Sequence, residues 1–161
     1  MRGRLLEQGV INIFDISTLI TDRTQADVQA WNDKGTYNPS DLNRVTHAME
    51  YLVDRLRSYG YFVRYEPVKA PHTENNLDDY TWYHSDIPQA NEHNAYLQNV
   101  RWLRDAMVLL PTTPEAPDDM EGVTFAEAND IEMILVNIET IINLMLSSII
   151  YSGEIFSGEV I

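Results

Sequence analysis

The chain has few side chains that could combine to do chemistry. It contains no cysteine, and its four histidines are His47, His72, His84 and His93. His47 and Glu50 are three residues apart in a predicted helix, which places two possible metal ligands on one helix face. A closed metal site needs three or four converging ligands, and His84 and His93 reach Glu92 only if the fold brings them together. We therefore predict no metal site, and expect histidines that are solvated or lie at the edge of the core.

Catalytic motifs are also missing from the sequence. With 25 Asp and Glu residues, an acidic pair is expected by chance and does not indicate a hydrolase. The chain contains neither a glycine-rich phosphate loop nor a Gly-x-Ser-x-Gly elbow. We predict no catalytic residue, no cofactor and no enzymatic activity.

An aromatic cluster lies in the middle of the chain, at Tyr80, Trp82 and Tyr83. Such residues stack on sugar rings or anchor protein partners. The alternative is that they pack in the core beside the helices.

Three stretches repeat one pattern, an asparagine followed by apolar residues six and nine positions later. The sets are Asn43, Met49 and Leu52; Asn91, Leu97 and Val100; and Asn129, Leu135 and Ile138. The spacing predicts similar amphipathic helices. We expect each asparagine to bind the preceding turn and to fix how the chain enters its helix.

Capping signals predict where the helices begin and end. The predicted helices are a short one between Thr24 and Gly35, one from Pro39 to Tyr59, one from Ile87 to Leu110, and one from the Thr124/Glu127 capping box onward. The predicted fold is mainly α, a bundle of about four amphipathic helices with a minor extended or β component and extended terminal arms.

The domain layout follows from these elements. We predict an N-terminal extended arm over 1–20, a helical domain over 21–150 and a C-terminal extended tail over 151–161. Within the domain, 61–85 is an inserted loop or strand and 111–123 a Pro-rich linker. Tyr61–Val68 fits an edge strand, and the sequence leaves open whether 61–85 is a hairpin or a loop.

Charge excludes two classes of partner. The net charge is −14, and both nucleic acid and anionic membranes attract basic surfaces. The most apolar run, 131–150, carries Glu132, Asn137, Glu139 and Asn143 at depths that are costly in a bilayer. We predict neither a nucleic-acid nor a membrane partner, and interpret the run as a core or interface helix.

The last helix is the predicted subunit interface. Its apolar stripe is wider than one core face needs, so the helix is either central in the bundle or shared with another subunit. The tail duplicates an aromatic-Ser-Gly-Glu-apolar unit, which either adds to the sheet edge or groove of a neighbour or folds back on its own domain. The predicted interface residues are Ile134, Ile138, Ile141, Met145, Ile149, Tyr151, Ile155, Phe156 and Val160.

Several strings resemble a group of small proteins encoded by phages and prophages of Gram-positive bacteria. They are Leu19-Ile-Thr-Asp-Arg-Thr-Gln-Ala-Asp-Val28, Tyr37-Asn-x-x-Asp-Leu-Asn-Arg-Val45, Asp86-Ile-Pro88, Leu110-Pro-x-x-Pro114, Ala128-Asn-Asp-Ile-Glu132 and the Tyr151-Ser-Gly-Glu-Ile-Phe-Ser-Gly-Glu159 ending. The resemblance covers most of the chain from about Leu19, and it carries no functional residues.

The resemblance implies a virion structural protein, an oligomeric component of a phage tail, baseplate or tail-fibre assembly. Its partners would be further copies of itself and other tail or baseplate proteins, and its location the virion. The alternative function is a receptor- or glycan-binding module at a tail tip, which uses the aromatic cluster around Trp82.

Overall fold

Four α-helices and one turn of 3-10 helix form the regular structure in the computed structural model. The structure describes residues 13–72 and 74–157, with side chains described through Ile149. The 3-10 turn is Ile16–Thr18, and the helices are α1 (Gln25–Gln29), α2 (Pro39–Ser58), α3 (Ala90–Asp105) and α4 (Phe125–Ser157). Within the described ranges there is no β-strand. The mainly α prediction is confirmed.

Each helix begins at the cap that its sequence specifies. The acidic residue three positions after the cap accepts a hydrogen bond from the cap's backbone N–H, at 2.8–2.9 Å. This bond satisfies a donor that the helix itself leaves unpaired. The pairs are Thr24 and Asp27, Asn38 and Asp41, Gln89 and Glu92, and Thr124 and Glu127.

Helices α2 and α4 run parallel. Among the side-chain contacts that join them, three residue pairs have numbers that differ by 88. A constant difference means that both helices advance in the same direction and in register. The pairs are Arg44 with Glu132, Tyr51 with Glu139, and Arg55 with Asn143.

Helix α3 begins at the same end of the bundle. The hydroxyl of Tyr96 in α3 lies 2.5 Å from that of Tyr37, one residue before the cap of α2. A shallow cavity at this end is lined by Leu42 of α2, His93 of α3 and Val123, just before α4. All three long helices are therefore parallel, and the chain must run back along the bundle between them.

The two return segments, 59–89 and 106–124, are irregular. The predicted strand at Tyr61–Val68 is wrong, because this backbone pairs with helix side chains and not with another strand. The segment 61–85 is consequently a long loop that lies along the helices.

Helix α4 is the central helix. Between Ala128 and Ile142, only Thr140 is exposed and most side chains are buried. The wide apolar stripe of this helix could mean a central position in the bundle or a contact with another subunit. For residues 128–142 the first explanation holds, because the helix packs within its own chain. The core is contributed by α2, α3 and α4 together with Leu19, Val63, Ala70, Trp82 and Met120.

The last helix continues to Ser157, seven residues into the predicted extended tail, so that part of the tail prediction is wrong. No proline interrupts 125–157, and Gly153 costs only about 1 kcal/mol in a helix interior. Residues 158–161 and the arm residues 1–12 lie outside the described residues. The rest of the arm, 13–20, is extended apart from the 3-10 turn.

In the described part of the chain, the stretch Phe125–Ile149 is long and apolar enough to cross a membrane by length and composition. A buried core helix passes the same test. Here Glu132 binds Arg44 and Glu139 binds Arg55, so this stretch packs against the chain's own α2.

Candidate functional site

Four charged side chains form a buried network at the start of the bundle. The Nη2 atom of Arg23 lies 2.9 Å from Asp41 Oδ1 and 2.6 Å from Glu132 Oε1. Arg44 also binds both carboxylates, with 2.7 Å between its Nη2 and Glu132 Oε1. The backbone N–H of Ile20 donates to Glu132 Oε2 at 2.6 Å. The network thus joins the N-terminal segment, α2 and α4.

The network is electrically balanced and shielded from water. Two guanidinium groups face two carboxylates, and Glu132 is fully buried. Burial by itself would lower the pKa of Arg44, but its bonds to Glu132 and Asp41 outweigh burial and raise that pKa. With its charges paired internally, the network holds the fold together and offers no free acid or base to a substrate.

Two tyrosines extend this network. The Arg23 guanidinium lies 5.7 Å from the ring centre of Tyr37, and the Tyr37 hydroxyl meets that of Tyr96. Burial raises the pKa of both phenols. Both therefore stay neutral at physiological pH and act as hydrogen-bonding groups.

Three asparagines on the helices each bind both backbone groups of one residue in an extended segment. The side chain of Asn43 accepts from Trp82 N–H (2.7 Å) and donates to Trp82 C=O (2.8 Å). Asn99 pairs in the same way with Glu66, at 3.0 and 2.8 Å. Asn129 pairs with Arg23, at 2.9 and 3.0 Å.

These asparagine clamps replace the backbone hydrogen bonds that a neighbouring strand would provide, because a carboxamide offers the same donor and acceptor as a peptide group.

The prediction that the repeated asparagines bind the preceding turn is wrong for Asn43 and Asn129, which bind segments 39 and 106 residues away. Asn91 is exposed on α3, and Asn99, which the repeat did not include, makes the third clamp.

His72 cross-links parts of the long return segment, 59–89, through both nitrogens of its ring. His72 Nδ1 lies 2.8 Å from Asp86 Oδ1, and Nε2 lies 2.8 Å from the carbonyl oxygen of Asp78. Because both partners only accept, the imidazole satisfies both bonds only when it is doubly protonated. The hydrogen bond to Asp86 is the largest contribution that raises the pKa of His72.

Of the other three histidines, His84 and His93 line the same shallow cavity. His47 and His84 are exposed, and His93 is half-buried, where burial lowers its pKa. No group of three metal-ligating side chains in the described ranges is arranged to hold a metal ion.

The predicted partner-binding aromatics separate in the structure. Trp82 is buried in the core at 3% exposure, Tyr80 is exposed, and Tyr83 is half-buried, with its ring 5.4 Å from that of His72. The proposed contact set of Tyr80, Trp82 and Tyr83 is therefore wrong in its central member, because Trp82 packs beside α2.

The predicted subunit interface divides into three parts. Ile134 and Ile138 are fully buried in the chain's own core, so assigning them to a subunit contact is wrong for this conformation. Ile141 and Met145 are half-buried, and Ile149 is exposed. The side chains of Tyr151, Ile155, Phe156 and Val160 lie outside the described residues.

Several exposed apolar residues lie near the level at which the three long helices end. The sequence analysis named only Ile149 among them, because only the parallel arrangement of the helices brings the others to the same end of the bundle. We call this set the apolar end, and its members are Tyr59 (42% exposed), Phe62 (90%), Val108 (90%), Leu144 (56%) and Ile149 (62%).

Two shallow cavities lie at the opposite end and share Asp86. Their volumes are about 240 and 310 Å³, at or below the smallest size usual for ligand sites. The carboxylate of Asp86 is already bonded to His72 and to the Tyr83 backbone N–H, so neither cavity presents a free catalytic group from Asp86.

No protein-family model, curated protein or solved structure matches the chain.

Proposed function

We propose that the chain is a non-enzymatic structural protein of a phage particle, an oligomeric component of a tail, baseplate or tail-fibre assembly. The observation that carries this proposal is the apolar end. Monomeric proteins seldom leave large apolar residues grouped on the surface, and such patches are typical of interaction sites. The resemblance of the sequence to phage and prophage proteins is the reason for placing this interaction site in a phage particle.

The rest of the fold supports a scaffold role. The charges of the network are bonded to one another, and three clamps fasten the extended segments to the helices. Polar groups used in this way give rigidity and a unique fold and leave little to act on a substrate. The apolar end is the surface through which neighbouring subunits would make contact.

The test is association with particles. An antiserum to the chain should label intact phage particles from an induced lysogen that carries the gene. The chain should also sediment with them through a density gradient at a fixed ratio to the major tail protein. Label that remains in the soluble fraction while particles stay bare would refute a virion role.

The second candidate function is glycan or receptor binding. Only the exposed Tyr80 still favours it, with Lys69 Nζ 5.7 Å from its ring centre. If this candidate is right, the chain binds purified cell walls and Tyr80→Ala abolishes binding. The matched control is Trp31→Ala, since Trp31 is an exposed aromatic residue elsewhere on the surface.

A further inference from the structure

The ring of His72 joins two parts of the long return segment. Its Nδ1 lies 2.8 Å from Asp86 Oδ1, and its Nε2 lies 2.8 Å from the carbonyl oxygen of Asp78. The side chains of His72 and Asp86 are only 6% and 3% exposed, so the contact between them is shielded from water. Asp86 lies three residues before Gln89, the cap of α3. The imidazole therefore fastens the loop around Asp78 to the start of α3.

This arrangement needs a charged ring, because both partners only accept hydrogen bonds. The carboxylate of Asp86 is held in place by its second oxygen, which accepts from the Tyr83 N–H at 2.7 Å. A charged imidazole has two N–H groups and satisfies both partners, whereas a neutral imidazole has one and turns a lone pair toward the other partner. Loss of a single proton therefore replaces one attractive contact by a repulsive one.

The loop at residues 74–79 has little else to hold it closed. Most of these residues are exposed. At the neck of the loop, the Ala70 N–H donates to the carbonyl oxygen of Asp79 at 2.9 Å. Lys69 Nζ lies 2.9 Å from Asp79 Oδ2, but the two side chains are 64% and 60% exposed, and exposed pairs contribute little. Beyond the loop, the chain is fastened again at the buried and clamped Trp82.

We propose that His72 is a proton-dependent latch, which holds the loop at 74–79 closed while its ring is charged and releases the loop when the proton leaves. The inference goes beyond the proposed function and does not depend on it. His72 lines one of the two shallow cavities, and Asp86 lines both. Release of the latch therefore also changes the walls of both cavities.

The partners of the ring set the direction of the pH response. The hydrogen bond to Asp86 is the largest contribution that raises the pKa of His72 above its ordinary value of 6.5. A group of this kind stabilises the closed form fully below its ordinary pKa and loses that effect as the pH rises through the raised pKa. The latch is therefore fastened at pH 5.5 and opens as the pH rises above 6.5.

The charged groups around the ring keep their charge in this range. The bond from Lys69 lowers the pKa of Asp79, and the same bond raises the pKa of Lys69. Burial would raise the pKa of Asp86, but the bonds from His72 and the Tyr83 backbone outweigh burial and lower it. Glu74 lines the same cavity as His72, and the Asp78 side chain accepts a hydrogen bond from the Tyr80 N–H.

Two further histidines lie on the other side of Asp86. His84 and His93 of α3 line the second cavity with it. Burial lowers the pKa of His93, and the charge of Glu92 opposes this shift only in part. The experiment must therefore distinguish the protonation of His72 from that of His84 and His93.

A spin label follows the loop directly, because the chain has no native cysteine. A nitroxide at Asn75→Cys, an exposed position of the loop, reports the loop's mobility in the room-temperature spectrum. A nitroxide at Thr140→Cys, exposed on α4, is the control. The ring resonances in NMR spectra give the pKa of each histidine separately. We expect the label at 75 to gain mobility between pH 5.5 and 9 with a midpoint at the pKa of His72, while the label at 140 does not change.

Asp86→Asn, in the labelled chain, separates the latch from a general loss of packing. The new carboxamide accepts from the Tyr83 N–H and donates to Nδ1 of His72, so a neutral ring with its proton on Nε2 satisfies both contacts. The label at 75 should then stay immobile as the pH rises to 9. His84→Gln, at an exposed position, should keep the native response.

A label at 75 whose mobility stays constant while His72 loses its proton would overturn the latch. An equal change at 140 would also overturn it, because the whole bundle would then be loosening. The same holds for a response that Asp86→Asn leaves intact. His72→Gln is the second variant, since it has no titrating ring at this position, and a native pH response in that variant would assign the effect to another group.

Discussion

Glu132 is the residue whose neutralisation should damage the fold most. It is fully buried and accepts four hydrogen bonds, one from Ile20 N–H, one from Arg23 and two from Arg44. Glu132→Gln keeps the shape of the side chain but removes its charge. The buried guanidinium group of Arg23 and the half-buried one of Arg44 then face Asp41 alone.

The size of the effect follows from that imbalance. Removing one partner of a buried ion pair costs about 3–5 kcal/mol, because the remaining charge is uncompensated. A domain's whole stability is roughly 5–15 kcal/mol, so the variant loses a large share of it. At a urea dependence of about 2 kcal/mol per M, the unfolding midpoint should fall by ~2 M.

Urea unfolding at pH 7, followed by far-ultraviolet circular dichroism at one protein concentration, measures this fall. The matched control is Glu115→Gln, since Glu115 also pairs with an arginine, Arg104, but its side chain is 84% exposed. Exposed pairs contribute about 0–1 kcal/mol, so the control midpoint should move little.

Removing a charge of each sign tests the explanation itself. Glu132→Gln combined with Arg44→Gln restores balance with Arg23 and Asp41, so the double variant should lose less stability than the sum of the two single losses. If Glu132→Gln shifts the midpoint no more than Glu115→Gln, or if the two losses add fully, the network does not stabilise the fold as argued.

Two further predictions concern the long return segment. Asn99→Ala leaves both backbone groups of Glu66 without their partner and should lower the free energy of unfolding by about 1–3 kcal/mol. The control Asn91→Ala, on the exposed face of α3, should change it by less than about 0.5 kcal/mol. Equal effects of the two variants in urea unfolding would contradict the clamp. The pKa of His72 is raised in the folded chain, so its stabilising bond to Asp86 is fully present below the unfolded pKa and is lost as pH rises through the folded pKa. His72→Gln should therefore lower the melting temperature more at pH 5.5 than at pH 9, and a loss that grows with pH would show the opposite linkage.

The helices could be predicted because their signals are local. Asn38-Pro39 and Asp41 specify the start of α2, and the predicted span of Pro39 to Tyr59 differs from the observed one by one residue at its end. For α3 the predicted span of Ile87 to Leu110 is too long at both ends. The cap is Gln89, and after Asp105 the chain turns back, with Arg101 and Arg104 bonded to carbonyls of the return segment.

The candidate site could not be predicted in the same way, because its partners are distant in the chain. Glu132 and Arg44 are 88 residues apart, and Asn129 and Arg23 are 106 apart. No local pattern distinguishes an asparagine that clamps a remote backbone from one that caps its own helix. The parallel arrangement, and with it the apolar end, arises only when these long-range bonds form.

The mass of the purified chain in solution, by light scattering after size exclusion, tests the central claim most directly. We expect a multiple of the chain mass of 18.5 kDa for the native protein and for Ile87→Asp, which changes an exposed apolar residue at the opposite end of the bundle, and the single-chain mass for Leu144→Asp. A native chain that stays at 18.5 kDa at high concentration, or an oligomer that Leu144→Asp leaves intact, would contradict self-association through the apolar end.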